Sequence, residues 1–285
     1  MSPFELAEPR SLREAIGLLD ANDTSVRPIS GGTALMLMMK AGVLRPARLV
    51  SLRNLGLENI DVGPAGELRI GAMTRLRAIE KSDLDRRGWP VIVRTLRTLS
   101  NVRVRNVATL GGHLAHADPH MDLPPLLAAL GARVTLEGAK GRRTVLAEEL
   151  STGYLETSVR RDELITRVEV PALGSRRAAY LKCTTRSADD WPALGIAVIL
   201  KLEKDSIREA SIVVSAATDK PTRLAAAEKL LRGQRISEKL LKQAGEAAAD
   251  EVQVEGDLHG SAAYKKQLLR VYLARAIHEA RQPVD

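Results

Sequence analysis

Hydrophobic and polar positions alternate along the first half of the chain in a way that predicts short helices between short strands. Apolar residues recur three and four positions apart, the period of an amphipathic helix, at 11–19, 35–40, 76–82, 89–100 and 123–130. Short apolar runs bounded by turn residues predict strands at 48–51, 67–70, 133–137 and 163–170, with a basic turn between the last two. Ser11 and Glu14 have the spacing of a capping box at the start of the first helix.

The pattern changes after Pro171. Apolar runs at 179–182, 193–201 and 209–217 predict an antiparallel sheet, and segments 221–231, 237–249 and 262–280 have helical spacing. Pro221 at a helix start and Gly233 just beyond its end are the usual punctuation of a helix. Strands followed by helices predict a separate α+β domain.

Residues 101–127 carry the most distinctive pattern in the chain. Val102, Val104 and Val107 alternate with polar residues, and Gly111-Gly112 follows them. This order predicts a strand that leads into a glycine turn at a buried site. Residues without a Cβ reach positive φ at little cost and allow a ligand to approach the backbone, where successive N–H groups can converge on an anion.

A second glycine pair with the same features lies upstream. Ser30-Gly31-Gly32-Thr33 follows the apolar segment 26–29, and a predicted helix starts just after it. Thr109 places a hydroxyl beside the downstream pair in the same way. Two hydroxyl-flanked glycine turns fit a diphosphate that is held from two sides, and Asp118 and Asp122 are candidate acceptors for sugar hydroxyls.

Composition sets the limits of this picture. A chain of 285 residues with 45% hydrophobic and 27% charged residues is typical of a globular protein with a substantial core in two or three domains. Aromatic residues make up only 2%, so the core must be built from Leu, Val, Ile and Ala. The single cysteine, Cys183, excludes an intrachain disulfide and a cysteine-bound iron–sulfur cluster within this chain.

The formal net charge of +8 raises the question of nucleic-acid binding. The basic residues occur in short clusters interleaved with acids, and stacking aromatic residues are missing. We therefore expect no nucleic-acid partner, and solvated loops or a basic face for an acidic partner subunit explain the charge better. No apolar run approaches membrane-spanning length and the N-terminus lacks signal-peptide features, which predicts a cytoplasmic protein without a membrane span.

Four ordered motifs resemble one family. RNVATLGGHLAHADPHMDLPPLLAALGA resembles the second flavin loop of the FAD-binding medium subunit of molybdenum hydroxylases, the family of carbon monoxide dehydrogenase and xanthine dehydrogenase. PISGGTALMLMMKAG resembles its first loop, and FELAEPRSLREAIGLL resembles its start. TTRSADDWPALGIAVIL resembles the segment where its C-terminal domain begins. The resemblance runs almost from end to end.

The resemblance implies an α+β fold in two parts. The first is a two-subdomain FAD-binding domain of the PCMH (vanillyl-alcohol oxidase) type at residues 1–172, with subdomains at about 1–58 and 59–172. The second, at 177–281, is an antiparallel sheet with a helical bundle, like the C-terminal domain of the carbon monoxide dehydrogenase flavoprotein.

The implied function is electron transfer. In this family FAD takes electrons from [2Fe-2S] clusters on a small subunit, which receives them from a molybdenum cofactor on a large subunit. It passes them to NAD, a quinone or another acceptor. The chain is thus expected to be an oxidoreductase subunit of a heterotrimer or its dimer, with no catalytic side chain of its own, because the cofactor performs the redox chemistry.

The residues expected to bind FAD by resemblance are Ser30, Gly31, Gly32, Thr33, Ala34, Thr109, Gly111, Gly112, His113, His116, Asp118, Asp122, Leu164, Asp189 and Asp190. The two loops would hold the diphosphate. Asp122 corresponds to an aspartate near the adenosine sugar, and Leu164 lies in a strand near the flavin. Asp189 and Asp190 belong to a segment that approaches the flavin ring from the second domain, next to Arg186 and Trp191.

The loops also depart from the family pattern. Ser30 replaces an alanine, Ala34 an aspartate, Ala108 a glycine and His113 an asparagine. These changes leave open a free-standing FAD oxidoreductase, a flavin-less scaffold, or a metal-binding subunit that uses His113, His116 and His120. Those histidines would share one face of a helix, but Pro119 disfavours a helix there, and no metal ligand is expected.

Overall fold

The computed structural model describes residues 2–282. The strands are β1 (Glu5–Ala7), β2 (Val26–Ile29), β3 (Arg48–Ser51), β4 (Ile60–Val62), β5 (Leu68–Gly71), β6 (Arg133–Gly138), β7 (Gly141–Leu146), β8 (Ser151–Gly153), β9 (Glu156–Thr157), β10 (Glu163–Val170), β11 (Arg177–Cys183), β12 (Leu194–Glu203), β13 (Ser206–Ser215) and β14 (Thr222–Arg223). The helices are α1 (Leu12–Gly17), α2 (Leu35–Lys40), α3 (Leu76–Lys81), α4 (Pro90–Thr98), α5 (Val102–Arg105), α6 (Leu110–His116), α7 (Leu123–Leu130), α8 (Ala225–Leu231), α9 (Glu238–Glu251) and α10 (Ala262–Arg281).

The N-terminal subdomain is a small parallel sheet in the order β1-β3-β2, accompanied by α1 and α2. The predicted cap of α1 is present, because Ser11 Oγ accepts a hydrogen bond from the N–H of Glu14 at 3.2 Å. The Glu14 carboxylate accepts from Arg10 N at 2.8 Å, one residue before the cap. In a regular capping box the Glu14 carboxylate would accept from the N–H of Ser11, but here it accepts from the N–H of Arg10.

The second subdomain is an antiparallel sheet in the order β4-β5-β10-β6-β7, with its core between the sheet and helices α3 to α7. Strand β10 lies at its centre, which explains why six of its eight residues are buried. Strand β7 was predicted as a basic turn, and that prediction was wrong. Its Arg142 and Arg143 pair in register with β6, where a half-exposed edge strand tolerates charged side chains.

The C-terminal sheet has the order β11-β12-β13-β14 and is covered on both faces. Ile196, Val198 and Leu200 of β12 pack in a cluster with α8 to α10, whereas Ala197 and Ile199 pack in the core of the second subdomain, beside α7. Alternate side chains of one strand therefore serve two cores. This sheet joins the two parts of the molecule.

The predicted helix at 221–231 was wrong over its first turn. Thr222 pairs with Val214 in the short strand β14, and Leu224 N donates to Ile212 O at 2.9 Å, so α8 starts only at Ala225. Backbone pairing with β13, which local sequence does not show, overrides the helix-start signal of Pro221. Gly233 follows the helix with a φ of +75°, as its position predicted.

Helix α9 offers a test of local helix stability. Its N-cap Ser237 accepts a hydrogen bond from Leu240 N at 3.3 Å. We expect Ser237→Ala to lower the free energy of unfolding by about 1 kcal/mol, since the freed N–H loses its partner. Urea denaturation would measure the change. Ser175→Ala, in an exposed turn, should stay within about 0.5 kcal/mol of the parent, and an equal loss in both variants would contradict the cap.

None of the helices within residues 2–282 combines the length and apolar character needed to cross a lipid bilayer.

Candidate functional site

The segment before the second glycine pair is helical, which corrects the strand predicted from its alternating valines. Asn101 Oδ1 caps α5 by accepting from Val104 N at 3.1 Å. Val102 and Val107 are exposed, so the alternation does not mark a buried sheet face. Arg105 instead reaches inward to Glu80 Oε2 at 2.8 Å and Leu99 O at 2.9 Å, and these distant contacts hold the helix.

Gly111 and Gly112 lie in the first turn of α6, and not in a positive-φ turn as predicted. Thr109 caps this helix, and its Oγ1 accepts from Gly112 N at 3.2 Å. Gly111 N donates to Ala72 O at 2.8 Å, and a Cβ on Gly111 would lie 2.7 Å from Ala72 Cβ. Both glycines are thus required by close packing, and their N–H groups already have partners within the protein.

The two glycine loops touch each other. A Cβ on Gly31 would overlap the carbonyl oxygen of Val107 and lie 2.9 Å from Ala108 Cα. A Cβ on Gly112 would overlap Ser30 Oγ. The missing side chains are therefore what allows residues 30–34 to approach the start of α6. Ser30, one of the departures from the family pattern, lies directly at this contact.

The first loop presents a row of free backbone donors. Gly32 has a φ of +69°, and its carbonyl accepts from Met36 N at 2.9 Å as α2 begins. Within residues 2–282, no acceptor pairs with the N–H groups of Gly31, Gly32, Thr33 and Ala34. Consecutive unpaired N–H groups in a turn of this kind form a concavity that suits an anion. Of the two loops, this one has the donors that a diphosphate requires.

His113 and His116 occupy successive turns of α6. His113 is 7% exposed, and its Nε2 has no hydrogen-bond partner within residues 2–282. Burial, reinforced by His116, lowers the pKa of His113 to about 3, so the ring is neutral at physiological pH. Burial also lowers the pKa of His116, with Asp118 opposing it. A neutral ring with a free nitrogen remains available for a further hydrogen bond.

Asp118 is buried just after α6. Its Oδ1 accepts from the backbone N of His120 at 2.8 Å and lies 2.9 Å from the ring Nδ1 of the same residue. Burial by itself raises the pKa of Asp118, but the hydrogen bonds from His120 outweigh it and bring the pKa below its ordinary value. This carboxylate is therefore ionised and already engaged with His120.

Asp122 joins the second subdomain to the C-terminal sheet. Its Oδ1 accepts from Tyr180 Oη at 2.7 Å and its Oδ2 from Lys182 Nζ at 3.2 Å. Lys182 Nζ also donates to Thr98 O at 2.8 Å and Asp190 O at 3.2 Å. Burial raises the pKa of Asp122, and Lys182 and Tyr180 offset this only in part.

Tyr180 and Lys182 were missed by the sequence analysis. The available signal was a lysine within a strand predicted from apolar residues, because a charge in such a strand requires a buried partner.

The remaining predicted site residues lie on either side of these loops. Leu164 packs with Ala15, Val50, Leu52 and Met73 in the cluster that joins the two subdomains. Asp189 is exposed, and a hydrogen bond from Ser187 Oγ at 2.5 Å is the main influence that lowers its pKa. Asp190 Oδ1 accepts from Trp191 N at 2.9 Å. The structure thus connects Asp190 to Asp122 through Lys182.

The histidines do not form a metal site. Helix α6 reaches His116, further than Pro119 led us to expect, and ends at Ala117, which has a φ of +53°. His120 therefore lies beyond the helix that carries His113 and His116. In the part of the chain that the structure describes, no group of three or more His, Cys, Asp and Glu side chains is arranged to hold a metal ion.

A cavity of about 760 Å³ opens at the far end of the C-terminal sheet, lined by residues that include Lys201, Arg208 and Arg232. None of the predicted site residues lines this cavity, which is therefore separate from the two glycine loops.

Comparison with known proteins decides the family. Residues 2–173 match the model described as the FAD binding domain in molybdopterin dehydrogenase, and residues 179–280 match the CO dehydrogenase flavoprotein C-terminal domain. The chain belongs to the FAD-binding medium subunits of molybdenum hydroxylases. The predicted family, the α+β fold and FAD as the cofactor are thereby confirmed.

Relatives in this medium-subunit family match over nearly their whole length. The glyceraldehyde dehydrogenase medium chain of Sulfolobus acidocaldarius is 31% identical, over 97% of this chain and 98% of the relative. The carbon monoxide dehydrogenase medium chain of Afipia carboxidovorans is 29% identical, over 98% and 96%. A crystal structure of Cu,Mo-CO dehydrogenase in its cyanide-inactivated form superimposes with a TM-score of 0.93 at 31% identity, covering 98% of this chain and 99% of its own. The chain is accordingly an oxidoreductase subunit.

Proposed function

We propose that this medium subunit transfers electrons through FAD, from iron–sulfur clusters on a partner chain to NAD, a quinone or another acceptor. The observation that carries the proposal is the contact between the two glycine loops, with free N–H groups at residues 31–34. These N–H groups lie next to the contact between the two loops, and together they can bind a diphosphate without a basic side chain. FAD supplies the redox chemistry when it is bound.

The residues of the two loops have different roles in the proposed binding of FAD. The N–H groups of Gly31, Gly32, Thr33 and Ala34 bind the diphosphate, and the start of α6 closes the opposite side. Ala34 adds no carboxylate to this loop, so an anion approaches without the repulsion that an aspartate would exert. Thr109, Gly111 and Gly112 support the site mainly by shape, because the Thr109 hydroxyl and the N–H groups of the two glycines are engaged within the protein.

His113 and the acidic residues would contact or position the parts of FAD other than the diphosphate. The free Nε2 of His113 offers one hydrogen bond in place of the family asparagine. Asp118 and Asp122 are both engaged with protein donors, so we propose that they orient neighbouring groups as well as contact the sugar. Leu164, His116, Asp189 and Asp190 complete the proposed set of contacts.

The partners and the location are also part of the proposal. Relatives are named medium chains or subunits, and Cys183 alone cannot ligate an iron–sulfur cluster. We propose a large subunit with the molybdenum cofactor, a small subunit with [2Fe-2S] clusters, and a cytoplasmic heterotrimer or its dimer. We also propose a division into domains at residues 1–172 and 177–281.

The visible spectrum of the purified chain tests the proposal. We expect close to one FAD per chain, released by heat and identified chromatographically, or taken up when FAD is added to flavin-free protein. Reduction of the bound FAD should require the partner subunits. Turnover of a substrate by the isolated chain would favour a free-standing oxidoreductase, and folded protein that never takes up flavin would favour a scaffold.

A further inference from the structure

His120 lies between two carboxylates that belong to different parts of the molecule. Its Nδ1 is 2.9 Å from Asp118 Oδ1, in the segment that follows α6, and its Nε2 is 2.7 Å from Asp257 Oδ2, in the turn before α10. Nearby, Ala216 N donates to Pro119 O at 2.9 Å. Residues 118–120 are therefore attached to the C-terminal domain by a side chain and by the backbone.

The proton count of this arrangement defines the state of His120. A neutral imidazole has one N–H donor and one acceptor nitrogen, whereas an ionised carboxylate only accepts. Both contacts are hydrogen bonds only if both ring nitrogens carry a proton. A neutral ring would direct a nitrogen lone pair at one of the two carboxylates.

The charges of the cluster balance only in that state. Lys265 is 1% exposed, and its Nζ donates to Asp257 Oδ2 at 2.6 Å and to Ala216 O at 2.6 Å. Two carboxylates, one lysine and one imidazolium sum to zero. The side chains of His120 and Asp118 are 11% and 6% exposed, whereas that of Asp257 is 28% exposed. With a neutral His120 this largely buried cluster would keep one uncompensated negative charge, which low-dielectric surroundings penalise.

The imidazole ring of His120 also stacks on the indole ring of Trp191. The two rings stack with centroids 5.4 Å apart and planes inclined by 14°, and the ring of His259 lies 5.2 Å away on a tilted plane. A cation over the face of an indole is attracted by the ring quadrupole. His120 thus connects the segment after the second loop, the Asp190–Trp191 loop and the start of α10.

We propose that His120 is a positioning residue, an imidazolium at neutral pH that clasps the second FAD loop to the C-terminal domain and holds Trp191 beside it. The proposal rests on the proposed function only for its effect on FAD affinity. The clasp itself requires nothing beyond Asp118, Asp257 and Lys265.

The clasp has a definite pH dependence. The groups that face His120 are Asp118, Asp257, His259 and Trp191, and His116 and Lys265 act on it through the two carboxylates. Burial lowers the pKa of His120, but Asp118 and Asp257 together raise it above its ordinary value. Burial raises the pKa of Asp257, and Lys265 and His120 reverse this to about 2. The clasp is therefore complete below about pH 6.5 and is lost as the pH rises through the elevated pKa of His120.

Nitrogen NMR of the flavin-free chain labelled with ¹⁵N-histidine tests the clasp directly. The sequence has 5 histidines, so each ring can be followed, and the resonances lost in His120→Gln identify the one in question. We expect both His120 nitrogens to be protonated at pH 7. Asp257→Asn should lower the midpoint of its titration by about one pH unit, since one carboxylate is gone. His278→Gln, on the exposed side of α10, should leave the His120 titration unchanged.

A neutral His120 at pH 7, or a midpoint that does not move in Asp257→Asn, would overturn the clasp. If His120→Gln folds poorly, single glutamine variants of the other four histidines assign the remaining resonances to His120, so the test still holds.

FAD titration tests the positioning role. The parent should bind FAD several-fold more tightly at pH 6 than at a pH above the midpoint of the His120 titration. His120→Gln should bind FAD about tenfold more weakly than the parent at pH 6, and its affinity should not change over this pH range. FAD affinity that is unchanged while His120 titrates would refute positioning. A parent that binds no FAD at any pH would refute the proposed function, and the nitrogen spectra would still decide the clasp.

Discussion

Replacing Gly31 by alanine is expected to weaken FAD binding at least tenfold, about 1.4 kcal/mol. The new Cβ would overlap the carbonyl oxygen of Val107 and lie 2.9 Å from Ala108 Cα. Both obstacles are backbone atoms, so the two loops must separate before the methyl group fits. The separation would displace the free N–H groups of residues 31–34 from the start of α6. Fluorescence titration with FAD would measure the loss, and urea denaturation of the flavin-free chain should show a cost of about 1–3 kcal/mol.

Two other glycines provide the controls for this prediction. Gly112→Ala places its Cβ against Ser30 Oγ, a hydroxyl that can change rotamer, so we expect a smaller loss of affinity. Gly17, at the end of α1, has nothing within 4 Å of an added Cβ, and Gly17→Ala should bind FAD normally. Equal affinity of Gly31→Ala and Gly17→Ala would mean that the contact between the loops is not needed for the cofactor.

Lys182→Met is expected to destabilise the flavin-free chain by about 3–5 kcal/mol. The side chains of Lys182 and Asp122 are 7% and 6% exposed, and the lysine is the only cation paired with Asp122 among the described residues. Its removal leaves a buried carboxylate with Tyr180 as its remaining donor. Urea denaturation at neutral pH would measure the loss. Lys201→Met breaks a pair whose side chains are 41% and 59% exposed, and it should cost less than about 1 kcal/mol.

The pH dependence of Lys182→Met follows from the same pair. Burial already raises the pKa of Asp122, and loss of the lysine raises it further. A carboxyl with a raised pKa in the folded state penalises the fold when it is ionised, and the penalty falls as the pH drops through that pKa. The deficit should therefore be largest near pH 7 and smallest below about pH 4, where the unfolded chain is protonated as well. A deficit independent of pH would contradict an unpaired Asp122 as its cause.

A double variant separates the ion pair from simple packing. In Asp122→Leu with Lys182→Met, no charge remains to be compensated, so most of the lost stability should return. A double variant as unstable as Lys182→Met would show that the hydrogen bonds of this cluster with Tyr180, Thr98 and Asp190 carry the stability instead.

Local pattern was sufficient where neighbouring residues alone decide the structure. Helix α7 has the predicted bounds Leu123–Leu130, because it is a continuous apolar run that ends at Gly131. Strand β10 has the predicted bounds Glu163–Val170, because half of its residues are β-branched and Pro171 follows it. The caps Ser11 and Ser237 act within three residues of themselves. These features depend on contacts that are short in sequence.

Local pattern was insufficient where a distant partner decides the conformation. The alternating valines of α5 suggested a strand, but the buried contact of Arg105 with Glu80 holds a helix. Gly111 and Gly112 suggested a positive-φ turn, whereas close packing on Ala72 and Ser30 requires them in the first turn of α6. The basic segment that forms β7 suggested a turn because its pairing partner, β6, is not visible in its own residues.

The sequence by itself determined the family and the two glycine loops, because motifs of adjacent residues carry that information. Only the tertiary structure decided which donors of those loops are free, since the N–H groups of Gly111 and Gly112 are engaged and those of residues 31–34 are not. It also decided that Asp122 pairs with Lys182, and that His120 joins Asp118 to Asp257. These partners are 60 and 137 residues apart in the chain. No local pattern specifies such contacts, because only the packing of the C-terminal sheet against the FAD-binding part brings them within hydrogen-bonding distance.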